Sequence, residues 1–451
     1  MRTGEAGEER AAASPLTYAG VLAVSLPIIL SNITTPLLGV THTAVVGRLG
    51  APHLIGAVAL GATIFTLLFW AFGFLRMGTT GLCAQADGAG DQNLVATILA
   101  RALLIAAGAG LALIILQYPL QWLALAYFDA TDAVEAETRN YFTIRIWCAP
   151  FALANYVFLG WFIGLAQTRI AFLLQLVLNG LNVILSVALV SGLGWGVAGV
   201  AVSTIIAEGA PAAMGGVLAA RELAGRGASM SWVATLDLAG LSRMLSVNSD
   251  LMIRTLCLLF AFTFFTAQAA KAGDVILAAN AVLMQFLNLS SYLLDGFAFA
   301  TEALTGRAIG AFDRAGFRRA IRLSSVWAVG IAASVSVVFL AGGAVIIDFM
   351  AADGAVREVA RAFLPWAVAS PIAGVACFQL DGIFIGATRT GDMRNMMIVS
   401  LAAFLGAWAV LTPPYGNHGL WASMMVFFIV RALTLAAYYP ALERAAFGAR
   451  A

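Results

Sequence analysis

Charge is the scarcest property of this chain. Only 11% of its 451 residues are Asp, Glu, Lys or Arg, against about 25% in an ordinary soluble domain. So few charges cannot cover a surface that faces water on every side, which excludes a freely soluble globular protein. The 25 basic and 23 acidic residues nearly cancel, leaving no excess for a nucleic-acid face. Cysteine is also rare. Cys83, Cys148, Cys257 and Cys377 lie in or beside apolar runs, and their spacing fits neither a zinc site nor a disulfide framework. Neither His53 nor His418 has metal-motif spacing. There is no P-loop, no Gly-x-Ser-x-Gly elbow and no metalloprotease motif. No cofactor and no metal are therefore expected. The segment Met1 to Ser14 is polar and lacks the short apolar core of a cleaved signal peptide.

What is abundant is apolar length: 61% of the residues are hydrophobic. About 20 consecutive apolar residues span a bilayer, and the chain divides into twelve such segments, at 16–46, 54–82, 94–127, 140–165, 170–193, 196–220, 241–270, 275–305, 320–347, 359–387, 395–413 and 418–441. The expected fold is an all-α polytopic membrane protein with twelve transmembrane helices in two pseudo-symmetric six-helix lobes. A tail (1–15) precedes the N-lobe (16–220), a linker (221–240) leads to the C-lobe (241–441), and a second tail (442–451) follows. With the N-terminus inside, fifteen basic residues fall on the inner side and five on the outer: Arg48, Arg139, Lys271, Arg357 and Arg361. This asymmetry places both termini in the cytoplasm. Two short patterns recur at one offset. Gly88-Ala89-x-Asp91 returns as Gly310-Ala311-x-Asp313, and Phe162-Ile163-Gly164 as Phe384-Ile385-Gly386, both 222 residues on. Six spans per half give the halves the same orientation, with a site expected between them.

Ionisable residues at membrane depth mark ion or substrate paths. His42 stands alone in the first apolar run; it either carries a proton, since an unperturbed imidazole titrates near neutrality, or is a neutral group bonded to a neighbouring hydroxyl such as Thr41 or Thr43. Asp250 and Arg254, four apart, share a helix face and are expected to pair, although Asp250 could exchange partners. Asp295 and Glu302, seven apart, project in similar directions. Asp381 brings a third acid to depth. A buried carboxylate can bind a proton and attract a cationic compound, so competition at one cavity would couple the two; the plainer alternative is structural pairing. Glu302 reads as lying near the cytoplasmic end. Arg76, Arg145 and Glu208 are expected to act as charge partners, with Glu208 open to either role. Pro27 and Pro36 each remove a backbone hydrogen bond from the first span and are expected to kink it.

Leu26-Pro27-Ile28-Ile29-Leu30-Ser31-Asn32, Leu75-Arg76-Met77-Gly78-Thr79-Thr80-Gly81, Asn248-Ser249-Asp250, Leu294-Asp295-Gly296-Phe297 and Leu380-Asp381-Gly382-Ile383-Phe384-Ile385-Gly386 resemble the multidrug and toxic compound extrusion (MATE) family, in its DinF-like branch. The resemblance covers nearly the whole chain. It implies two six-helix lobes forming a V and export of amphipathic, often cationic compounds against inward proton or sodium flow. Two positions depart from the family pattern. Thr41-His42-Thr43 stands where the first helix usually has an acid, and Ser186 stands where the fifth helix usually has one four residues after an Asn. The N-lobe pocket implied by the resemblance is thus Asn182, Ser186 and Thr204 beside His42, without a carboxylate, which favours protons over sodium. The expected function is a proton-coupled antiporter in a bacterial inner membrane, acting as a monomer on small molecules, with the bilayer as its surroundings and no nucleic-acid partner. A lipid-linked oligosaccharide flippase, or an intramembrane transferase of a different class, are the alternatives.

Overall fold

In a computed structural model, the structure describes residues 16–47, 51–128, 130–229 and 231–448, with the side chains of 35–40, 42–44 and 46 left out. The described chain is helical throughout. We number the twelve long helical segments α1 Tyr18–Gly47, α2 Pro52–Gly88, α3 Gln92–Ile115, α4 Asp132–Gly164, α5 Thr168–Gly192, α6 Gly196–Gly225, α7 Leu238–Lys271, α8 Asp274–Gly310, α9 Arg314–Met350, α10 Gly354–Gly386, α11 Thr390–Tyr415 and α12 Asn417–Phe447. Eleven are long and apolar enough to cross a membrane, and the described apolar part of α1, Tyr18–Thr34, is shorter. The helices run beyond the apolar stretches that announce them: α6 continues to Gly225, and α12 to Phe447. Polar caps rather than loss of hydrophobicity set several starts. Asp237 accepts from Gly240 N at 2.8 Å, and Asp353 from Ala355 N at 2.7 Å. Helix α1 runs on through Pro27; the side chain of Pro36 lies outside the described residues.

The 222-residue repeat is a repeat of backbone. Gly90 and Phe312 both adopt left-handed φ, +77° and +55°. Asp91 and Asp313 then cap the next helix, accepting from Leu94 N at 2.9 Å and Gly316 N at 2.7 Å. The conserved spacing also explains the glycines. A Cβ on Gly88 would stand 2.0 Å from the carbonyl oxygen of Arg307, and one on Gly310 would stand 1.9 Å from that of Gln85. Since 310 − 88 and 307 − 85 both equal 222, this contact between the halves is reciprocal, as a two-fold relation requires. Gly164 and Gly386 do the same inside each half, against the carbonyls of Thr80 and Glu302.

The halves meet mainly near the end that carries these Gly-Ala-x-Asp turns. Asp87 there accepts from Arg226 Nη1 at 2.6 Å and from Arg307 Nε at 2.8 Å, and Gln85 donates to Gly386 O at 2.8 Å. The apolar core that the halves share draws Met244, Leu251, Ala303, Phe317 and Phe384 from the second half, all toward this end. Toward the other end, the second half has its own core of Phe265, Phe286, Phe339, Phe404 and Trp421, which takes in no described residue of the first. One contrast between the halves is backbone regularity. Helix α2 breaks at residues 71–73, α4 contains a 3₁₀ turn at Ile146–Cys148, and α5 ends in a π-helical turn, Val187–Gly192. Helices α7 to α12 are unbroken.

Candidate functional site

The restart of α2 at Phe74 aims Arg76 across the boundary between the halves. Its guanidinium stands 3.7 Å above the Phe299 ring and 3.4 Å from Glu302 Oε2. Helix α8 supplies Asp295, Phe299 and Glu302 from one face, and α10 supplies Phe378 and Asp381. With Arg254 of α7 these residues line a cavity of about 30 Å³. That volume holds a water or two.

Asp381 Oδ2 accepts from Arg254 on one side and from Arg431 of α12 on the other. Glu302 pairs with Arg76. Asp295 alone of the three acids has neither an ion pair nor a hydrogen bond among the described residues, and it retains part of its exposure. The site therefore gathers three guanidinium and three carboxylate groups, and their charges balance. Balance is needed, because an unpaired charge withdrawn from water costs several kcal/mol. The satisfaction is nonetheless incomplete. Arg76 Nη2, Arg254 Nε, Arg431 Nε, Glu302 Oε1 and Asp381 Oδ1 are buried without a protein partner. Buried polar atoms of this kind need water or a ligand, so the walls present both donors and acceptors to whatever enters.

One expected pairing is corrected. Arg254 pairs with Asp381, not with Asp250. Asp250 instead accepts from Arg394 Nη1 at 2.6 Å and Thr390 Oγ1 at 3.0 Å, and it does not line the cavity. A four-residue separation aligns two Cβ atoms but leaves them one turn apart along the axis; helices α10 and α11 present a better partner at each level. Glu302 is fully buried in the cavity wall, with 0% of its surface exposed.

The N-lobe group is uncharged where described. Asn182 Nδ2 donates to Thr204 Oγ1 at 3.4 Å, Ser186 Oγ to Asn182 Oδ1 at 3.2 Å, and Ser186 and Ser203 hydroxyls lie 2.7 Å apart. The side chain of His42 lies outside the described residues. Arg145 donates to Tyr141 Oη at 2.6 Å and sits 4.7 Å over the Phe65 ring. Glu208 accepts from Asn155 Nδ2 at 2.8 Å. The residues missed in the sequence are Arg431, Ser203 and Asn155. Arg431 was findable, since it interrupts the apolar run Val426 to Val430 and Ala432 to Ala437 much as His42 interrupts the first.

The MatE family model matches this chain at residues 27–188 and again at 251–413. The chain is 42% identical to the DNA damage-inducible protein F of Escherichia coli over 92% of its own length and 90% of that protein. It is 28% identical to the probable multidrug resistance protein NorM of Deinococcus radiodurans, over 92% of each. Among solved structures, the Vibrio cholerae MATE transporter VcmN in its bent form superimposes with a TM-score of 0.83 at 19% identity, over 95% of this chain and 97% of that one. That likeness is one of fold: twelve helices in two lobes.

Proposed function

The chain belongs to the MatE family, and from that premise we propose that it is a secondary active exporter of amphipathic, often cationic organic compounds, driven by inward proton flow. Its likeness to a probable multidrug resistance protein, NorM, supports a role in moving compounds. The observation that carries the rest is Asp295, a partly exposed carboxylate on the cavity between the lobes, which faces the arginines that hold Glu302 and Asp381 but forms no ion pair with any of them. A carboxylate with no fixed cation can take either a proton or the cationic group of a substrate, and the two exclude each other. Export follows if the lobes rock about the seam at Gly88 and Gly310, exposing the cavity first to one side and then to the other.

In this reading the lobes, 16–220 and 241–441, are the moving bodies, and the segment 221–240 bridges them. In the same reading the seam and both termini face the cytoplasm of a bacterial inner membrane, which the asymmetry of basic residues supports. Each chain holds a complete cavity, so a monomer suffices. Sodium is disfavoured as the driving ion, because Asn182, Ser186, Ser203 and Thr204 offer no charged oxygen to offset its dehydration.

The test uses purified protein in proteoliposomes with ethidium as the probe and with proton and sodium gradients imposed separately. Ethidium accumulation should follow the proton gradient and ignore sodium. Accumulation driven by sodium at zero proton gradient would overturn the coupling, and a protein that moves ethidium under neither gradient would overturn the export reading for cationic dyes.

A further inference from the structure

The first six spans contain one acid at membrane depth. Among the described residues, Asp87, Asp91, Asp132, Glu135, Glu137 and Glu222 lie toward helix ends or in connectors, and Glu208 alone is mid-span in α6. Its direction follows from helical periodicity. Ile206, Ala213 and Val217 are exposed, and spacings of seven and eleven residues make them one outward stripe on α6. Glu208 is two residues from Ile206, a rotation of about 200°, so it points away from that stripe into the lobe. On α4 the exposed stripe is Thr143, Trp147 and Phe151, and Arg145 points away from it by the same reckoning. Both interior side chains nevertheless keep part of their surface accessible. That accessibility belongs to the inside of the lobe, not to its lipid face.

The surroundings are polar and incompletely satisfied. Asn155 donates from one nitrogen to both the carboxylate and the backbone carbonyl of Glu208, at 2.8 and 2.9 Å. Asn155 Oδ1 and Arg145 Nε are buried with no protein partner. The 3₁₀ turn of α4 begins at the residue after Arg145, and irregular backbone at membrane depth is tolerated where it is buried in protein or lines a wet cavity. One turn before Glu208 on the same helix stands Thr204, bonded to Asn182.

We propose that Glu208 is the proton-exchanging group of the N-lobe, displaced from α1 and α5 to the next turn of α6 beyond Thr204. This rests on the proton-driven reading above. The titratable groups within electrostatic reach of Glu208 are Arg145, Cys148 and Tyr156, all on α4. Among the described side chains, α1, α2 and α5 bring it no charge. The ionised carboxylate is held by Asn155 and faced by Arg145. The protonated carboxyl donates its new hydrogen to the free Asn155 oxygen or to water, and Arg145 turns to Tyr141, which it already touches. A proton entering here changes the net charge of the N-lobe interior by one, in the lobe whose helices are already broken at three places.

Two measurements on the full-length protein decide the matter. In proteoliposomes, Glu208→Gln should lose gradient-driven ethidium accumulation by about tenfold while ethidium counterflow without a gradient stays within about twofold, the scale of a coupling free energy between two sites. Glu208→Asp should retain both. Infrared difference spectra between acid and neutral samples should show a protonated-carboxyl band that Glu208→Gln lacks. Unchanged gradient-driven accumulation, an equal loss of accumulation and counterflow, or an unchanged carboxyl band would each overturn the assignment. A wild-type protein that ignores the proton gradient would defeat the export reading instead, and the infrared arm would still decide whether Glu208 takes a proton.

Discussion

The two lobes share a backbone and differ in chemistry. At the 222-residue offset, Asp381 corresponds to Leu159, Asp295 to Gly73, Glu302 to Thr80, Arg254 to Asn32 and Arg431 to Gly209. Every member of the C-lobe charge cluster is uncharged at its N-lobe counterpart. In return, the N-lobe's Asn182 and Ser186 correspond to Phe404 and Trp408. The glycine contact at the seam, by contrast, is preserved in both copies down to the carbonyl each glycine meets. Architecture is held by close backbone approach, which only glycine permits, whereas the interior side chains are free to diverge. The result is a C-lobe of uninterrupted helices joined by ion pairs, and an N-lobe of interrupted helices lined with hydroxyls and amides, with Glu208 as its mid-span carboxylate. A rigid charged half and a softer polar half suit different tasks: one holds a cavity in shape, and the other changes shape with a proton.

The sharpest way to break this contrast is to remove Asp381. Asp381→Leu removes the carboxylate that bridges Arg254 and Arg431 and should destabilise the protein by about 3–5 kcal/mol. Arg431→Leu leaves a one-to-one pair and should cost clearly less. Thermal unfolding in detergent reads both, and equal losses would show that Asp381 is not shared. Next in size is Asp295→Asn, which should cut proton-driven ethidium export about tenfold with the unfolding midpoint nearly unchanged. A midpoint that falls as far as for Asp381→Leu would make Asp295 a structural member of the same cluster.

A smaller effect is expected where the lobes meet. Asp87→Asn weakens the contacts to both Arg226 and Arg307, so a cysteine placed at Gln85 should react several-fold faster with a membrane-impermeant thiol reagent, for a loss of about 1–2 kcal/mol. An unaltered rate would mean that the glycine contacts alone close the seam. The smallest effect is at Phe312, which holds the left-handed conformation that its counterpart Gly90 adopts freely. Phe312→Gly should relieve about 1 kcal/mol of backbone strain and raise the unfolding midpoint by a degree or two; an unchanged or lower midpoint would show that the contacts of Phe312 outweigh the strain.

The order and number of the spans, the repeat, and the presence of acids in α8 and α10 were all legible in the sequence. They depend on local quantities: the length of apolar runs, the spacing of Gly, Ala and Asp at turns, and the cost of a charge in hydrocarbon. Even the seven-residue relation of Asp295 to Glu302 follows from helix pitch alone. Which cation meets which anion was decided by the tertiary structure. Asp250 and Arg254 have the right spacing to pair and do not, because Arg394 and Thr390 from α11 reach one of them and Asp381 from α10 reaches the other. Arg431 joins the cluster from a helix 50 residues away from Asp381 in sequence, and no periodicity within α12 points there. The breaks in α2 and α5 were equally hidden, since neither stands beside a proline or a loss of apolar character, whereas the 3₁₀ turn of α4 stands just ahead of Pro150, whose ring removes the hydrogen bond to the turn before it. A sequence specifies what each helix must bury; the depth at which neighbouring helices cross then selects the partners, since a buried charge settles on whichever opposite charge lies within reach.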